Sequence, residues 1–123
     1  MSNVANWFEI PVKDLARAKA FYGDVMQTTF KDEEMGGYQM AIFAYEGQAV
    51  SGMLIAGEHY EPSQTGAVVY LNGGADLSQP LQRAVEHGGS VLVPKTPIHD
   101  GDCGYFAQFL DSEGNRVGLY SPA

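Results

Sequence analysis

Apolar residues in the first half of the chain recur first at strand spacing and then at helix spacing. The segment 4–12 predicts a strand, and Asp14 shortly after it is a typical N-cap residue. The apolar residues that follow predict a helix whose buried stripe consists of Leu15, Ala18, Tyr22 and Val25. Glycine-containing turns then separate three further predicted strands, at 28–31, 38–45 and 48–55.

The second half of the chain repeats this order of elements. A polar segment at 56–65 that contains Pro62 predicts a linker. Beyond it, the pattern predicts a strand at 67–72 and a helix that is capped by Ser78 and ended by Gly88. The apolar face of this helix is predicted to consist of Leu81, Ala84 and Val85. Three more strands are predicted, at 90–93, 104–110 and 116–120.

The two halves also match over part of their length at a constant spacing. The segment 38–47 aligns with 105–114 at an offset of 67 residues. The sequence therefore predicts an α+β fold of two tandem βαβββ modules, at about 4–56 and 66–121, within one domain that spans 1–123. Because so short a module buries little surface alone, we expect the two to share one core and neither to fold by itself.

Composition narrows the possible partners and the compartment. The chain has 123 residues, of which 45% are hydrophobic and 18% charged, which is typical of a globular domain. Fifteen acidic residues against seven basic ones give a net charge of -8, which argues against binding to nucleic acid or to an anionic membrane. The single cysteine, Cys103, cannot form an internal disulfide, and no signal peptide or membrane span is visible, so we expect a cytoplasmic protein.

Two segments resemble motifs of the vicinal oxygen chelate superfamily, which holds glyoxalase I, extradiol dioxygenases and bleomycin-resistance proteins. The sequence IPVKDLARAKAFYGDVM at 10–26 is similar to the opening motif V-x-D-L-x-x-A-x-x-F-Y of that family, and FLDSEGNRVGLYS at 109–121 is similar to its closing hairpin D-x-E-G-N-x-x-x-L. The resemblance implies that the sheets of the two modules curl into an open barrel, with the ligand on the concave face and the helices outside. It also implies a homodimer, since the short members of the family usually pair.

The resemblance also assigns four positions to a metal ion, which family enzymes hold with His or Glu side chains on equivalent strands. In this chain those positions fall on Trp7, Ser51, Ala67 and Gly118. None of these residues offers an imidazole or a carboxylate, the groups suited to hold Zn²⁺, Ni²⁺ or Fe²⁺ in such a site. We therefore expect a protein of this family that lacks its metal site and uses no other cofactor.

Glu9 is the candidate acid–base residue. Strand alternation places it on the same face as Trp7, and hence toward the cavity. A carboxylate enclosed by apolar walls is harder to ionise, so it could act as a general acid or base, or pair with a cationic ligand. The alternative is that Glu9 forms a structural ion pair, for instance with Arg116.

The remaining candidates describe a small-molecule site. Trp7 could stack on an aromatic or cationic ligand, or it could fill the space where a metal would sit. The predicted ligand-binding residues are Trp7, Glu9, Ser51, Met53, Phe109, Arg116 and Tyr120. They indicate a metal-free protein that binds a small cationic or amphipathic molecule with an aromatic part. The alternative is a glyoxalase-like lyase or isomerase in which Glu9 moves a proton and Arg116 holds the resulting oxyanion.

Overall fold

The computed structural model describes residues 3–123, and this range contains eight strands, two α-helices and one short 3₁₀-helix. The elements follow in the order β1 Trp7–Pro11, α1 Leu15–Val25, β2 Phe30–Met35, β3 Tyr38–Phe43, β4 Ser51–Ala56, β5 Tyr70–Asn72, α2 Ser78–Glu86, β6 Ser90–Pro97, β7 Tyr105–Leu110 and β8 Arg116–Ser121. The 3₁₀-helix, His99–Gly101, lies between β6 and β7. Neither α-helix in this range is long and apolar enough to cross a membrane.

Each βαβββ module forms one four-stranded mixed sheet. The strand order is β1-β4-β3-β2 in the first sheet and β5-β8-β7-β6 in the second. β1 runs parallel to β4 and β5 runs parallel to β8, whereas the other neighbours are antiparallel. Within residues 3–123 neither sheet closes on itself, so β1 and β5 are edge strands. The predicted α+β fold with open sheets is confirmed.

Helix α1 begins as the sequence predicts and contacts both sheets. The Asp14 carboxylate accepts a hydrogen bond of 3.0 Å from the backbone N–H three residues later, which satisfies one free donor of the first turn. The buried residues of the helix are Ala18, Phe21, Tyr22 and Val25. Phe21 packs against Phe109 of the second sheet, while Tyr22 packs against Phe43 of the first. The helix therefore joins the two modules.

Helix α2 differs from the sequence prediction at its start and along one side. Ser78 is the first helical residue rather than the cap, and its backbone N–H donates to the Asp76 side chain at 2.9 Å. This hydrogen bond, together with one from Lys95, lowers the pKa of Asp76 to about 2. Val85 is exposed rather than buried, because the helix buries only a narrow face. That face consists of Pro80, Leu81 and Ala84.

One hydrophobic core lies between the two modules. It combines buried residues of both helices with Ile10 and Leu54 of the first sheet and with Phe109 and Leu119 of the second. We call the sheet faces that point into this core the inner faces, and the opposite ones the outer faces. Because both modules contribute to one core, truncating the chain between them would expose apolar surface on each half.

The repeat between the modules is shifted relative to the sequence alignment. Ala41 and Ala107 occupy equivalent, fully buried positions in the core, which corresponds to an offset of 66 residues rather than 67. Leu54 pairs with Ala41 and Leu119 pairs with Ala107, which gives an offset of 65 for β4 and β8. Strand side chains alternate between faces, so a one-residue error exchanges inner for outer positions.

The turn between β7 and β8 attaches the second module to the first. Three of its polar side chains are buried, namely Asp111, Glu113 and Asn115. Asn115 Nδ2 donates to the Pro11 carbonyl at 2.8 Å, and the Glu113 carboxylate accepts from two backbone N–H groups that precede α1, both at 2.9 Å. The segment that resembles the closing hairpin of the family therefore has a structural role in this chain.

Candidate functional site

Four of the predicted ligand-binding residues belong to one face of the first sheet, its outer face. In the parallel pairing of β1 with β4, Trp7 lies beside Ser51 and Glu9 lies beside Met53. The Ser51 hydroxyl donates a hydrogen bond of 3.0 Å to the Phe43 carbonyl, so it has no further proton to donate to a ligand. A small apolar cluster, separate from the core, covers much of this face. It consists of Met40, Met53 and Ile55, with Tyr38, Ile42 and Tyr60 packed against it.

Glu9 is held at this face by one of its two carboxylate oxygens. Its Oε1 accepts a hydrogen bond of 2.9 Å from the Tyr60 hydroxyl, and this hydrogen bond is the main reason why the pKa of Tyr60 is raised. No residue within 3–123 donates to the other oxygen, Oε2, which can therefore accept a hydrogen bond from a ligand. Glu9 is exposed, so a single chain does not form the apolar enclosure that the sequence predicted around it.

Arg116 is not the partner of Glu9. Its Nη1 donates to Gln108 Oε1 at 2.7 Å, and its Nε donates to the Gln64 carbonyl at 3.1 Å. Glu9 belongs to none of the ion pairs within residues 3–123, so the alternative of a structural ion pair for Glu9 is wrong. The two side chains nevertheless line the same cleft of about 180 Å³, at the seam between the sheets.

The outer face of the second sheet carries Tyr120, one of the predicted ligand-binding residues, and two residues that the sequence prediction missed. These are Tyr70 on β5 and Gln108 on β7, and Gln108 Nε2 donates to the Tyr70 hydroxyl at 2.7 Å. The Tyr70 ring packs edge-on against Phe106, with ring centroids 6.3 Å apart. The Tyr120 hydroxyl donates to the Cys103 carbonyl at 3.0 Å. Only the register of three strands brings Tyr70 and Gln108 together, so no local pattern could have indicated the pair.

The ring of Tyr70 covers Gly118, the position at which the resemblance expects a metal-ligating carboxylate. The β5–β8 register places the two residues side by side, and a Cβ atom on residue 118 would overlap the Tyr70 ring. The sequence predicts the metal-ligand position of the first strand of the second module at Ala67, but Ala67 lies before that strand, β5, begins. The offset of 65 makes Met53, rather than Ser51, the counterpart of Gly118 in the first module. Met53 pairs with Glu9 on β1, so the same shift moves the first-strand position from Trp7 to Glu9. The corrected positions hold one carboxylate, a thioether and a phenol, with no side chain at Gly118, and a single carboxylate does not hold a catalytic metal ion.

Metal-ligating side chains do not cluster elsewhere in the part of the chain that the structure describes. Within residues 3–123, no group of three or more His, Cys, Asp or Glu side chains is arranged to hold a metal ion. The residues at the outer faces therefore do not fit the metal that the resemblance implies.

Phe109 does not line either outer face. Its side chain is fully buried in the core and packs against Phe21 of α1, with ring centroids 6.2 Å apart. Ala107 lies two residues earlier on β7, and alternation sends both side chains inward. The structure therefore places Phe109 in the core rather than among the candidate ligand-binding residues.

Aromatic side chains remain open to solvent on both outer faces. Trp7 is 42% exposed, Tyr70 is 45% exposed and Tyr120 is 41% exposed. A groove of about 650 Å³ between the edge strands β1 and β5 is lined by Phe8, Ser51 and Tyr70, among others. Exposed aromatic rings beside a carboxylate and a phenol suit a small aromatic molecule with polar substituents.

The sequence matches one family model over almost its whole length. That model is described as the Glyoxalase/Bleomycin resistance protein/Dioxygenase superfamily, and it covers residues 4–119. No curated protein matches the sequence.

Solved structures with a similar fold include binding proteins and enzymes. An antibiotic binding protein from Streptomyces sp. CB03234 is 24% identical with a TM-score of 0.68, and the alignment covers 100% of this chain and 99% of that one. A glyoxylase/bleomycin resistance protein/dioxygenase domain from Frankia sp. EAN1pec is 15% identical with a TM-score of 0.72, and the alignment covers 98% of each chain. Glyoxalase I from Zea mays is 19% identical with a TM-score of 0.66, and the alignment covers 95% of this chain but 45% of that one. The chain thus spans about half of the maize enzyme, and these likenesses show the fold.

Proposed function

Because the chain belongs to the Glyoxalase/Bleomycin resistance protein/Dioxygenase superfamily, we propose that it binds a small organic molecule at its outer sheet faces without the metal ion of the family's enzymes. The observation that carries this proposal is the Tyr70 ring over Gly118. That ring takes up the space in front of the strand position where a metal ligand is expected. The antibiotic binding protein of similar fold and length supports a binding function.

The chemistry of the first outer face favours a ligand with an aromatic part and a cationic or hydrogen-bond-donating group. Trp7 offers an exposed aromatic face, and Glu9 offers a free carboxylate oxygen two residues further along the same strand. Cations are attracted both by aromatic faces and by carboxylates. The net charge of -8 favours the approach of cations over that of anions.

A homodimer is part of this proposal, because the outer faces and the edge strands are uncovered in one chain. Exposed aromatic residues beside unpaired strand edges are a surface that a second copy can cover. We expect light scattering at micromolar concentration to give twice the mass of the chain. A monomeric mass under those conditions would contradict the dimer.

Thermal-shift measurements test the binding proposal directly. We expect benzyltrimethylammonium to raise the melting temperature, and Zn²⁺ and Ni²⁺ to leave it unchanged. Neopentylbenzene has the same shape as benzyltrimethylammonium but no charge. It should raise the melting temperature less, because only the cation is attracted to Glu9 and to the aromatic faces. Stoichiometric metal in the purified protein, lost on chelation together with binding, would overturn the metal-free proposal.

A lyase or isomerase remains the second candidate, and one observation favours it. Glu9 and Arg116 line the same cleft, so a candidate base and a cation that could hold an oxyanion border one space. In this alternative, Glu9 Oε2 would take a proton from a carbon next to a carbonyl group. Arg116 would hold the oxygen on which negative charge develops.

Glu9→Gln separates the two candidates. If the protein only binds, the change should weaken benzyltrimethylammonium about ten-fold and leave neopentylbenzene binding unchanged, since one charged contact is worth on the order of 1–2 kcal/mol. If it is an enzyme, wild type should exchange the α-protons of hydroxyacetone for deuterium, and the variant should lose this exchange. Titration calorimetry and proton NMR measure the two outcomes, and Glu86→Gln on α2 is the matched control.

A further inference from the structure

A chain of three side chains crosses the outer face of the second sheet, from Arg116 through Gln108 to Tyr70. Arg116 Nη1 lies 2.7 Å from Gln108 Oε1, and Gln108 Nε2 lies 2.7 Å from the Tyr70 hydroxyl. A guanidinium group has only donors, so the oxygen of the Gln108 amide must face Arg116. The NH₂ group of the amide must then face Tyr70. Arg116 therefore determines how the Gln108 amide is oriented.

This orientation determines what Tyr70 can offer to a ligand. An amide NH₂ group only donates, so the Tyr70 oxygen accepts from Gln108 and keeps its own proton free. The hydroxyls of Tyr60 and Tyr120 differ, because they already donate hydrogen bonds, to the Glu9 carboxylate and to the Cys103 carbonyl respectively. Tyr70 therefore presents a hydrogen-bond donor, whereas Tyr120 presents lone pairs.

The position of Tyr70 makes this donor accessible and well fixed. The residue is 45% exposed, and its ring is held between Gly118 beneath it and Phe106 beside it. The positive charge of Arg116, passed on through the polarised amide, strengthens the donor. This donor meets no acceptor within residues 3–123 of one chain, so its proton is free for an acceptor from outside the chain.

We infer that the Tyr70 hydroxyl is the donor that selects the ligand, and that the ligand presents a carbonyl or anionic oxygen to the outer face of the second sheet. The inference rests on the proposed binding function. It adds that one group of the ligand is a hydrogen-bond acceptor. It is independent of Glu9, which lies on the first sheet and offers the opposite polarity.

A matched pair of probes tests the inference. 1-Indanone and indane have the same bicyclic skeleton, but only the ketone carries an acceptor oxygen. In NMR titrations that follow the backbone amide of Gly118, wild type should bind the ketone about three- to ten-fold more tightly, as one net hydrogen bond allows. Tyr70→Phe keeps the ring over Gly118 and should bind both probes equally.

Gln108→Glu separates a donor role of Tyr70 from simple packing. Glutamate at residue 108 would still pair with Arg116, but it would accept the Tyr70 proton instead of donating to the Tyr70 oxygen. The preference for 1-indanone should therefore disappear although Tyr70 is unchanged. Tyr105→Phe is the matched control, because Tyr105 lies on the same sheet but packs against the core.

The outcomes distinguish this inference from the binding proposal. If wild type binds 1-indanone and indane equally, or if Tyr70→Phe or Gln108→Glu retains the preference, Tyr70 is not the selecting donor and the binding proposal stands. If neither probe shifts any amide of the two outer faces, the inference fails. The binding proposal also fails only if benzyltrimethylammonium leaves the melting temperature unchanged.

Discussion

Replacing Asp111 by alanine should lower the free energy of unfolding by about 3–5 kcal/mol, the largest effect that we expect from one side chain. Asp111 is 4% exposed, and its carboxylate accepts four hydrogen bonds. Oδ2 accepts from the Tyr22 hydroxyl at 2.6 Å and from Asn115 Nδ2 at 3.1 Å. Oδ1 accepts from the backbone N–H groups of Glu113 and Asn115, at 2.9 and 2.8 Å. Alanine would leave these buried donors without an acceptor.

Tyr22→Phe is the matched control for this experiment, and urea unfolding followed by circular dichroism measures both variants. Burial, reinforced by the charge of Asp111, raises the pKa of Tyr22 well above its ordinary value, so its hydroxyl stays a donor at any working pH. Removing that hydroxyl leaves Asp111 with three donors and should cost only about 1 kcal/mol. A loss for Asp111→Ala no larger than that for Tyr22→Phe would contradict the structural role assigned to the carboxylate.

Glu113→Ala should cost about 2–4 kcal/mol of unfolding free energy, the second-largest expected effect. The Glu113 side chain is 0% exposed and accepts from the backbone N–H groups of Lys13 and Asp14, both at 2.9 Å. It also accepts from Arg17 Nε at 2.6 Å and from Arg17 Nη2 at 3.0 Å. These contacts join the second module to the start of α1, so their loss weakens the connection between the modules.

The same carboxylate should make the stability depend on pH. Burial alone would raise the pKa of Glu113, but the donors from Arg17, Asp14 and Lys13 outweigh it and hold that pKa at about 2, below the ordinary 4.5. Because the unfolded chain binds this proton more tightly, the stabilisation is complete above about pH 4.5 and is lost as the pH falls toward 2. We expect a loss on the order of 2 kcal/mol, after allowance for solvent screening.

Urea unfolding between pH 2 and pH 7 measures this effect. Glu113→Gln should be less stable than wild type at pH 7 and should lose less stability on acidification. The exposed Glu46 provides the control variant, Glu46→Gln, whose profile should follow that of wild type. Parallel profiles for wild type and Glu113→Gln would show that another group causes the acid sensitivity.

Local patterns in the sequence predicted the order of elements and one face of the site. Helix capping by Asp14 depends on residues within one turn, and alternation along β1 and β4 depends on neighbours two residues apart. For that reason the sequence alone predicts Trp7, Glu9 and Met53 on one face. The motif segments at 10–26 and 109–121 indicated the family for the same reason, since each is continuous in sequence.

The sequence determined neither the offset between the two modules nor which face of β7 is buried. Phe109 is predicted to bind ligand although the sequence does not fix its facing, and its side chain lies in the core. The offset of 65 instead of 67 replaces Ser51 by Met53 as the counterpart of Gly118. An error in where β5 begins put Ala67 in the place that Tyr70 occupies beside Gly118. Sequence spacing cannot correct such errors, because only the packing of one sheet against the helices decides which face is buried.

The sequence by itself therefore determined that this is an acidic chain of two βαβββ modules, with Trp7 and Glu9 on a common face. Only the tertiary structure decided which groups meet across strands and between modules. It joined Glu9 to Tyr60 rather than to Arg116, and it directed Arg116 to Gln108. The physical reason is that hydrogen-bond partners are selected by strand register and by inter-module packing, which depend on the whole core rather than on neighbouring residues.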